Sequence, residues 1–467
     1  MTKIGLEIHC QLTNLESKLF CSCKANYRDF KINENICPIC MGLPGTLPRL
    51  NQEAVKKATI IAMALNCTTP DKIAFFRKNY FYPDLPKNFQ ITQLNIYGDT
   101  SIGGTGSIMV GEKKINITRI QLEEDPGRLI YEGSSSKNLI TLVDYNRAGT
   151  PLVEIVTEPD FEGPKQVRDF VNILSNLLEN LGVSDPGLDG AMRIDANVSI
   201  EGGKKVEIKN IGSFHDLEKA IHFEITRQES LHSRDISIIQ ETRHWDDKRK
   251  ITVSSRSKEE DLDYRYFLEG DIPWVRIDPK TKAELKLKMP ESISTKKERY
   301  VSKFNITPQV ATVLSSDKFY SDLFEKSHTE SNAKEIANII TTDLMGLVDT
   351  REKREESKIT GTHLKDLDDS IKSGKISRIS AKNALYEIVK TGKDLSQVIL
   401  ELDLGNVSDE STILKIIQEV ISDEPQAVEQ AKSNPQTINY LVGKVMQKTK
   451  GKADPKLTLD LLKKQLK

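Results

Sequence analysis

Gly5-Leu6-Glu7-Ile8-His9-Cys10-Gln11-Leu12 is the stretch that decides how the rest of the chain reads. From Ile4 onward, Ile4, Leu6, Ile8, Cys10 and Leu12 are apolar, while Glu7, His9 and Gln11 are polar. Strict alternation is the period of a half-buried strand, with one face on a core and the other free for chemistry. Glu7 and His9 lie two residues apart, so they share the free face and one cation can reach both. Four thiols follow in two close pairs, Cys21-Ser22-Cys23 and Cys37-Pro38-Ile39-Cys40. Four thiolates suit tetrahedral zinc, and each short pair can close a turn around it. Cys10 and Cys67 stand apart and read as core residues.

Composition narrows the class. A chain of 467 residues exceeds one ordinary core, and 37% hydrophobic with 29% charged residues fits a globular protein. Lys plus Arg (67) balances Asp plus Glu (68), so no global basic field points to nucleic acid, and any RNA contact must be local. No apolar run approaches the roughly 20 residues needed to span a bilayer. Met1-Thr2-Lys3 runs straight into the first strand, so no leader is expected. All six cysteines precede Thr68, a clustering that suits a metal site in a reducing compartment, hence a cytoplasmic protein.

Working outward, residues 51–65 have helical periodicity. The run Arg77-Lys78-Asn79-Tyr80-Phe81-Tyr82-Pro83-Asp84-Leu85-Pro86-Lys87 crowds basic groups and rings into a segment kept from helix by two prolines. It reads as a loop able to offer a stacking ring and phosphate-facing cations. Gly103-Gly104-Thr105-Gly106 lacks the Gly-Lys-Ser/Thr of a phosphate loop and reads as a hairpin turn. Residues 115–122 alternate again and deliver Glu123-Glu124-Asp125, three acids that repel one another unless a cation or solvent compensates. Residues 139–145 form a strand leading to Arg147, and residues 170–181 an amphipathic helix.

The clearest hairpin is residues 193–209, turning at Glu201-Gly202-Gly203. Ile194, Ala196, Val198 and Ile200 share one face of its first strand, and Arg193, Asp195, Asn197 and Ser199 the other. In the returning strand Lys205, Glu207 and Lys209 point away from Val206 and Ile208. Acids, amides and lysines displayed together on strand faces make an apt set for Mg²⁺ and a triphosphate. Residues 240–243 and 256–267 continue the dense mixed charge as salt-bridge networks. From about residue 290 the texture changes to short helices, and the last block carries Lys444, Lys448, Lys450 and Lys452, a local basic patch suited to an RNA backbone.

These segments resemble the B subunits of the tRNA-dependent amidotransferases. The resemblance runs over nearly the whole chain, through GLEIHCQL, CSC with CPICMGLPGTLP, RKNYFYPDLPKNFQITQ, LEEDPGRL, DYNRAGTPLVEIVTEPD, RIDANVSI, VEIKNIGSF, QETRHWDD, RSKEEDLDYRYF and VGKVMQKTKGKADP. It implies an α/β (α+β) cradle domain with a largely antiparallel sheet at residues 1–290, carrying the zinc knuckle at about 21–40. An all-α domain at 291–405 and a small helical, tRNA-contacting tail at 406–467 follow. The length argues against the related E subunit, which carries a large inserted domain.

The implied activity is ATP-dependent phosphorylation of the side-chain carboxylate on Glu-tRNA(Gln) or Asp-tRNA(Asn), followed by amidation with ammonia. By the same motifs Glu7, His9, Glu123, Glu124 and Glu207 are the Mg²⁺ candidates, with either Glu123 or Glu124 as a direct ligand. Tyr80, Tyr82, Asp195 and Asn197 are assigned to the nucleotide, and Lys87, Arg147 and Lys209 to the reacting groups. No amidase-like Gly-Gly-Ser-Ser-Gly stretch occurs in the chain. Ammonia is therefore expected from an amidase-type A subunit, with a small C subunit completing a heterotrimer. The rival readings are a non-catalytic tRNA-binding scaffold and a small-molecule carboxylate–amine ligase.

Overall fold

The computed structural model describes residues 2–95, 97–132, 140–256, 264–405, 410–433, 437–449, 453 and 455–466. The chain divides into two compact units, Met1–Glu291 and Ser292–Lys467.

In the first unit, β1 (Lys3–Gln11) buries Ile4, Leu6, Ile8 and Cys10, as its alternation requires. Helix α1 (Gln52–Ala64) is capped by Asn51, whose side chain accepts from the N–H groups of Glu53 and Ala54. β2 (Lys72–Ile73), β3 (Phe76–Asn79) and β4 (Phe89–Thr92) are short. β5 (Gly106–Val110) and β6 (Lys113–Glu124) form a hairpin, and β7 (Arg128–Glu132) pairs with β8 (Ile140–Asp144). β9 (Pro151–Thr157) leads into α2 (Pro164–Asn180), and β10 (Met192–Ser199) and β11 (Val206–Lys209) into α3 (Phe214–His232). β12 (Glu241–Asp246), β13 (Ile251–Arg256), β14 (Phe267–Leu268), β15 (Val275–Arg276) and α4 (Pro279–Lys288) complete the unit.

Eight strands make one sheet in the order β13-β12-β11-β10-β1-β9-β6-β5. The β11–β12 pair is parallel and the other pairs are antiparallel, so the sheet has the largely antiparallel character expected. Ile4, Leu6 and Ile8 of β1, Val153 and Ile155 of β9, and Ile194, Ala196 and Val198 of β10 belong to one apolar cluster. Phe170, Val171 and Leu174 of α2 and Leu217, Ala220 and Ile221 of α3 pack into the same cluster. With one face buried this way, a slip of one residue in any strand would bring its polar set into the core, which fixes the register. The opposite face is left for polar groups.

Three local expectations are revised. Gly103 bridges Ile120, Gly106 begins β5, and the hairpin turns at Gly111 instead. A Cβ on Gly106 would lie 2.7 Å from the Leu65 carbonyl oxygen, so glycine answers a close approach by the end of α1, and not a turn. Arg77, Lys78 and Asn79 are in strand β3, paired with β4, and the loop proper begins at Tyr80. Helix α2 starts earlier than its apolar stripe, at Pro164, whose fixed φ suits a first helical position. The mixed charge at residues 240–243 does form a network, with Arg243 2.8 Å from Glu241 and 3.6 Å from buried Glu224. Residues 257–263, the middle of the next charged run, lie outside the described residues.

The second unit is helical among its described residues and has two apolar clusters, one spanning Tyr300 to Leu404 and one spanning Ile413 to Leu462. Pro425 and Pro455 open helices there, a first position that suits proline's fixed φ. Among the described residues no helix is long and apolar enough to cross a membrane.

Candidate active site

The strand registers set side chains on the polar face in rows. His9 of β1 lies opposite Glu154 of β9 on one side and Arg193 of β10 on the other. Glu7 lies opposite Val156 and Asp195 in the next row. Asn197 faces Glu207, and Glu207 faces Thr242. Residues two apart share a face, so pairing alone gathers Glu7, His9, Glu154, Arg193 and Asp195. They line a cleft of about 570 Å³ together with Lys78, Tyr80, Glu123, Lys209 and His244. That volume is in the range of ligand pockets.

His9 Nε2 is the hub of the acidic side. It lies 3.6 Å from Glu154, 3.7 Å from Glu7 and 3.9 Å from Glu123. Burial disfavours the imidazolium, but the hydrogen bond and charge of Glu154, with Glu7 and Glu123 behind it, push His9 up to about 9. Burial also works against Glu154, and its contact with His9 overrides that and brings it down to about 2. Glu123 is driven up to about 7 by burial and by the charge of Glu154, and Glu7 is raised by the same two causes. One proton on His9 therefore leaves two carboxylates undercompensated. Within the cleft, Glu7, His9 and Asp195, and likewise His9, Glu123 and Glu154, bring one ligand atom each within 4.8 Å of one another. Hard oxygen donors, one imidazole and excess negative charge fit Mg²⁺. Nearby, the buried Oδ1 of Asn197 has no hydrogen-bond partner among the described residues, which fits an acceptor kept for a ligand.

The basic side is held by ion pairs. Lys209 Nζ lies 3.0 Å from Asp195 and 3.6 Å from Glu207; burial opposes its charge, yet these carboxylates raise its pKa. Glu207 also accepts a hydrogen bond from Thr242 at 2.8 Å, beside the cleft lining. Arg193 donates at 2.6 Å to fully buried Asp125, whose other oxygen accepts from Gln11 at 2.6 Å. Tyr80 packs edge-on against Tyr264 with ring centroids 5.8 Å apart. Tyr82, in contrast, is half exposed and outside the cleft.

Other expected residues stand elsewhere. Glu124 and Lys87 pair at 2.5 Å in a second cavity of about 240 Å³, walled by Cys21, Cys40, Gly42 and Arg77. Arg147 donates to the carbonyls of Pro126 and Gly127 at 3.0 and 2.7 Å, which fixes the loop after β6. In the helix Thr437–Lys448, Lys444 pairs with Glu424 at 2.7 Å, and Lys448 with Asp423 at 2.7 Å and Glu419 at 3.2 Å. Lys450 and Lys452 lie outside the described residues.

Residues 2–283 match the family model described as the GatB/GatE catalytic domain, and residues 322–466 match a second, described as the GatB domain. The chain belongs to the family of aspartyl/glutamyl-tRNA amidotransferase B subunits. It is 45% identical to the B subunit of the aspartyl/glutamyl-tRNA(Asn/Gln) amidotransferase of Saccharolobus solfataricus over 469 residues, covering 100% of this chain and 99% of that one. The protein of the same name from Sulfurisphaera tokodaii is 46% identical over 470 residues, covering 100% and 99% of the two chains. That of Methanospirillum hungatei is 41% identical over 477 residues, covering 100% and 98%. In this family member the catalytic-domain match spans every strand that lines the cleft.

Reading the sequence missed Glu154 and Arg193. Glu154 is a lone acid among Leu152, Val153, Ile155 and Val156, a conspicuous signal once β9 is recognised as a strand. Arg193 shares its parity with Asp195 and Asn197, and what was lacking was its pairing with His9.

The same catalytic-domain match contains the thiol knuckle. The four sulfurs of Cys21, Cys23, Cys37 and Cys40 lie within 4.8 Å of one another, a donor set that fits tetrahedral zinc. Cys40 is lowered to about 5, chiefly through its hydrogen bond with Cys21, and Cys21 is raised by the same contact.

Proposed function

We propose that this chain is the component of a tRNA-dependent amidotransferase that activates and amidates the side-chain carboxylate of Glu-tRNA(Gln), Asp-tRNA(Asn) or both. The observation that carries the reading is the cleft around His9, with Glu7, Glu123 and Glu154 converging on one side and Lys209 and Arg193 on the other. An acidic pocket for a divalent cation beside fixed basic groups is what phosphoryl transfer requires, because that reaction depends on positioning and charge neutralisation.

A carboxylate is a poor acyl donor until one of its oxygens becomes a leaving group. In the first step a carboxylate oxygen forms a bond to the γ-phosphorus of ATP and the bond from that phosphorus to ADP breaks. In the second, ammonia forms the C–N bond, the C–O bond to phosphate breaks, and nitrogen gives up a proton. Glu7, His9, Glu123 and Glu154 would hold Mg²⁺, with Asp195 within reach. Bound there, Mg²⁺ supplies charge neutralisation at the phosphoryl oxygens. Lys209, fixed by Asp195 and Glu207, and Arg193, fixed by Asp125, present cations that need no reorganisation as charge develops. Tyr80 offers a ring edge for the nucleotide or the aminoacyl end.

Ammonia comes from an amidase-type A subunit, with a small C subunit completing the assembly. Cys21, Cys23, Cys37 and Cys40 hold a structural zinc ion. The block at 406–467 acts as a separate tail domain that meets the tRNA backbone through Lys444, Lys448, Lys450 and Lys452. Supporting this reading are the names of the relatives and the chain's full-length match to them.

The test is ATP turnover by the assembled enzyme with mischarged Glu-tRNA(Gln), mischarged Asp-tRNA(Asn) and uncharged tRNA. Turnover stimulated by a mischarged tRNA and lost in Glu154→Gln supports the reading and names the substrate. Turnover indifferent to every tRNA would point to a small-molecule ligase, and tRNA binding without turnover to a scaffold.

A further inference from the structure

Lys18 is among the largest fully buried side chains of the protein. Lysine ordinarily runs its stem along apolar surface and keeps its ammonium in water, and a buried ammonium demands an anionic partner. Among the described residues no carboxylate lies within ion-pairing distance of it. Its Nζ instead donates to the carbonyl of Asn35 at 2.8 Å and lies 3.8 Å from Cys40 Sγ. The position is built from both sides. The Lys18 N–H donates to the Cys23 carbonyl at 2.8 Å, so the backbone of Lys18 is tied to the first thiol pair. Asn35 is locked by its side chain to both backbone groups of Lys24, at 3.1 and 2.9 Å, and by its N–H to Asn146 at 2.7 Å. The Cys37 N–H also points at Cys40 Sγ, at 3.2 Å, so this sulfur receives a dipole and a full charge together.

We propose that Lys18 is the buried counter-cation of the thiol knuckle, holding the metal by offsetting the charge of its thiolates from inside the protein. The inference rests on the reading of the four cysteines as a zinc site. A divalent ion on four thiolates leaves a dianion, and in a poorly hydrated setting that excess charge opposes metal binding and favours protonation of a sulfur. An ammonium beside Cys40 removes half of the excess. Water cannot substitute for it, because Lys18 is sealed from solvent, and salt cannot either. Lys18 therefore acts through the ligands as a positioning residue, and its effect should appear in how tightly the metal is held.

The experiment uses the full-length chain as purified. Zinc content is first measured by elemental analysis, and zinc release to a chromogenic chelator is then followed for wild type, Lys18→Met and Lys18→Arg. Groups that support metal ligands from behind typically contribute about 10- to 100-fold in affinity. Lys18→Met should surrender zinc at roughly a tenfold lower chelator concentration or less, and Lys18→Arg should recover most of the retention because it restores the charge. Cobalt(II) loaded in place of zinc should keep its tetrahedral thiolate spectrum in Lys18→Met while becoming easier to displace. Should Lys18→Met not fold, Lys18→Gln makes the same comparison with a polar tip and no charge. Stoichiometric zinc in wild type with equal retention in the neutral variants overturns the counter-cation role and leaves the zinc reading standing. A wild-type chain that binds neither zinc nor cobalt overturns both.

Discussion

Glu123 and Glu124 are neighbours in β6, yet their carboxylates serve different cavities: Glu123 lies 3.9 Å from His9, and Glu124 2.5 Å from Lys87. The cause is the two-residue period of a strand. Ile120 and Leu122 face the core, and Glu124 falls on their parity while Glu123 takes the polar face. The two acids should therefore fail differently. Glu123→Gln is expected to raise the Mg²⁺ concentration needed for half-maximal ATP turnover by about 10- to 100-fold. Glu124→Gln should leave that Mg²⁺ dependence close to wild type. A Mg²⁺ titration of both variants decides it, and equal displacement of the two curves would contradict the separation.

Asp125 belongs to neither set but holds Arg193. Its carboxylate is fully buried, accepting from Arg193 and Gln11 at 2.6 Å each, with Arg147 at 3.7 Å. Removing one partner of a buried pair leaves an uncompensated charge, at a cost of roughly 3–5 kcal/mol. Arg193 keeps part of its side chain in solvent, so Asp125→Ala is expected at about 3 kcal/mol, read from the urea unfolding midpoint. Arg193→Ala leaves the fully buried Asp125 carboxylate without that cation, so it should cost at least as much stability and lower turnover as well.

How much of this was legible beforehand depends on the range of the forces involved. The alternation in β1, β10 and β11 displayed Glu7, His9, Asp195 and Lys209 on their polar faces, because a period of two is written locally. That His9 stands between Glu154 and Arg193 is a fact of strand pairing between segments well over a hundred residues apart, and no window of sequence contains it. Gly106 is instructive in the other direction. Its neighbours looked like a turn, but the constraint is the Leu65 carbonyl pressing on the strand from α1. Lys87 and Arg147 were read as reactive cations from their motifs, and their positions, on Glu124 and on two loop carbonyls, were set by tertiary contacts that a motif does not encode.

The helical unit offers a titration that is independent of the cleft. Glu325 is partly buried, which opposes its charge, but hydrogen bonds from Arg299 at 2.7 Å and the Tyr300 hydroxyl at 2.8 Å lower its pKa below the ordinary carboxylate value. A group whose folded pKa is depressed contributes stability that is present above its unfolded pKa and lost as pH falls through the folded one. The difference in melting temperature between wild type and Glu325→Gln should thus be largest above about pH 5 and shrink toward pH 3. A difference that is constant across that range would mean that the carboxylate's charge has no part in it.

The tail lysines make the last prediction. Lys448 is held by Asp423 at 2.7 Å and Glu419 at 3.2 Å, so an RNA phosphate must compete with two carboxylates for it. These are exposed pairs, each weak and easily exchanged. If Lys448 meets the tRNA backbone, Lys448→Ala should weaken binding for every tRNA alike and reduce the slope of log K against log salt by about one. Asp423→Asn should do the opposite, strengthening binding modestly by releasing the ammonium without adding a contact. Measuring both variants across a salt series separates a phosphate contact from a lysine that merely closes its own helix pair, because in the second case neither slope moves.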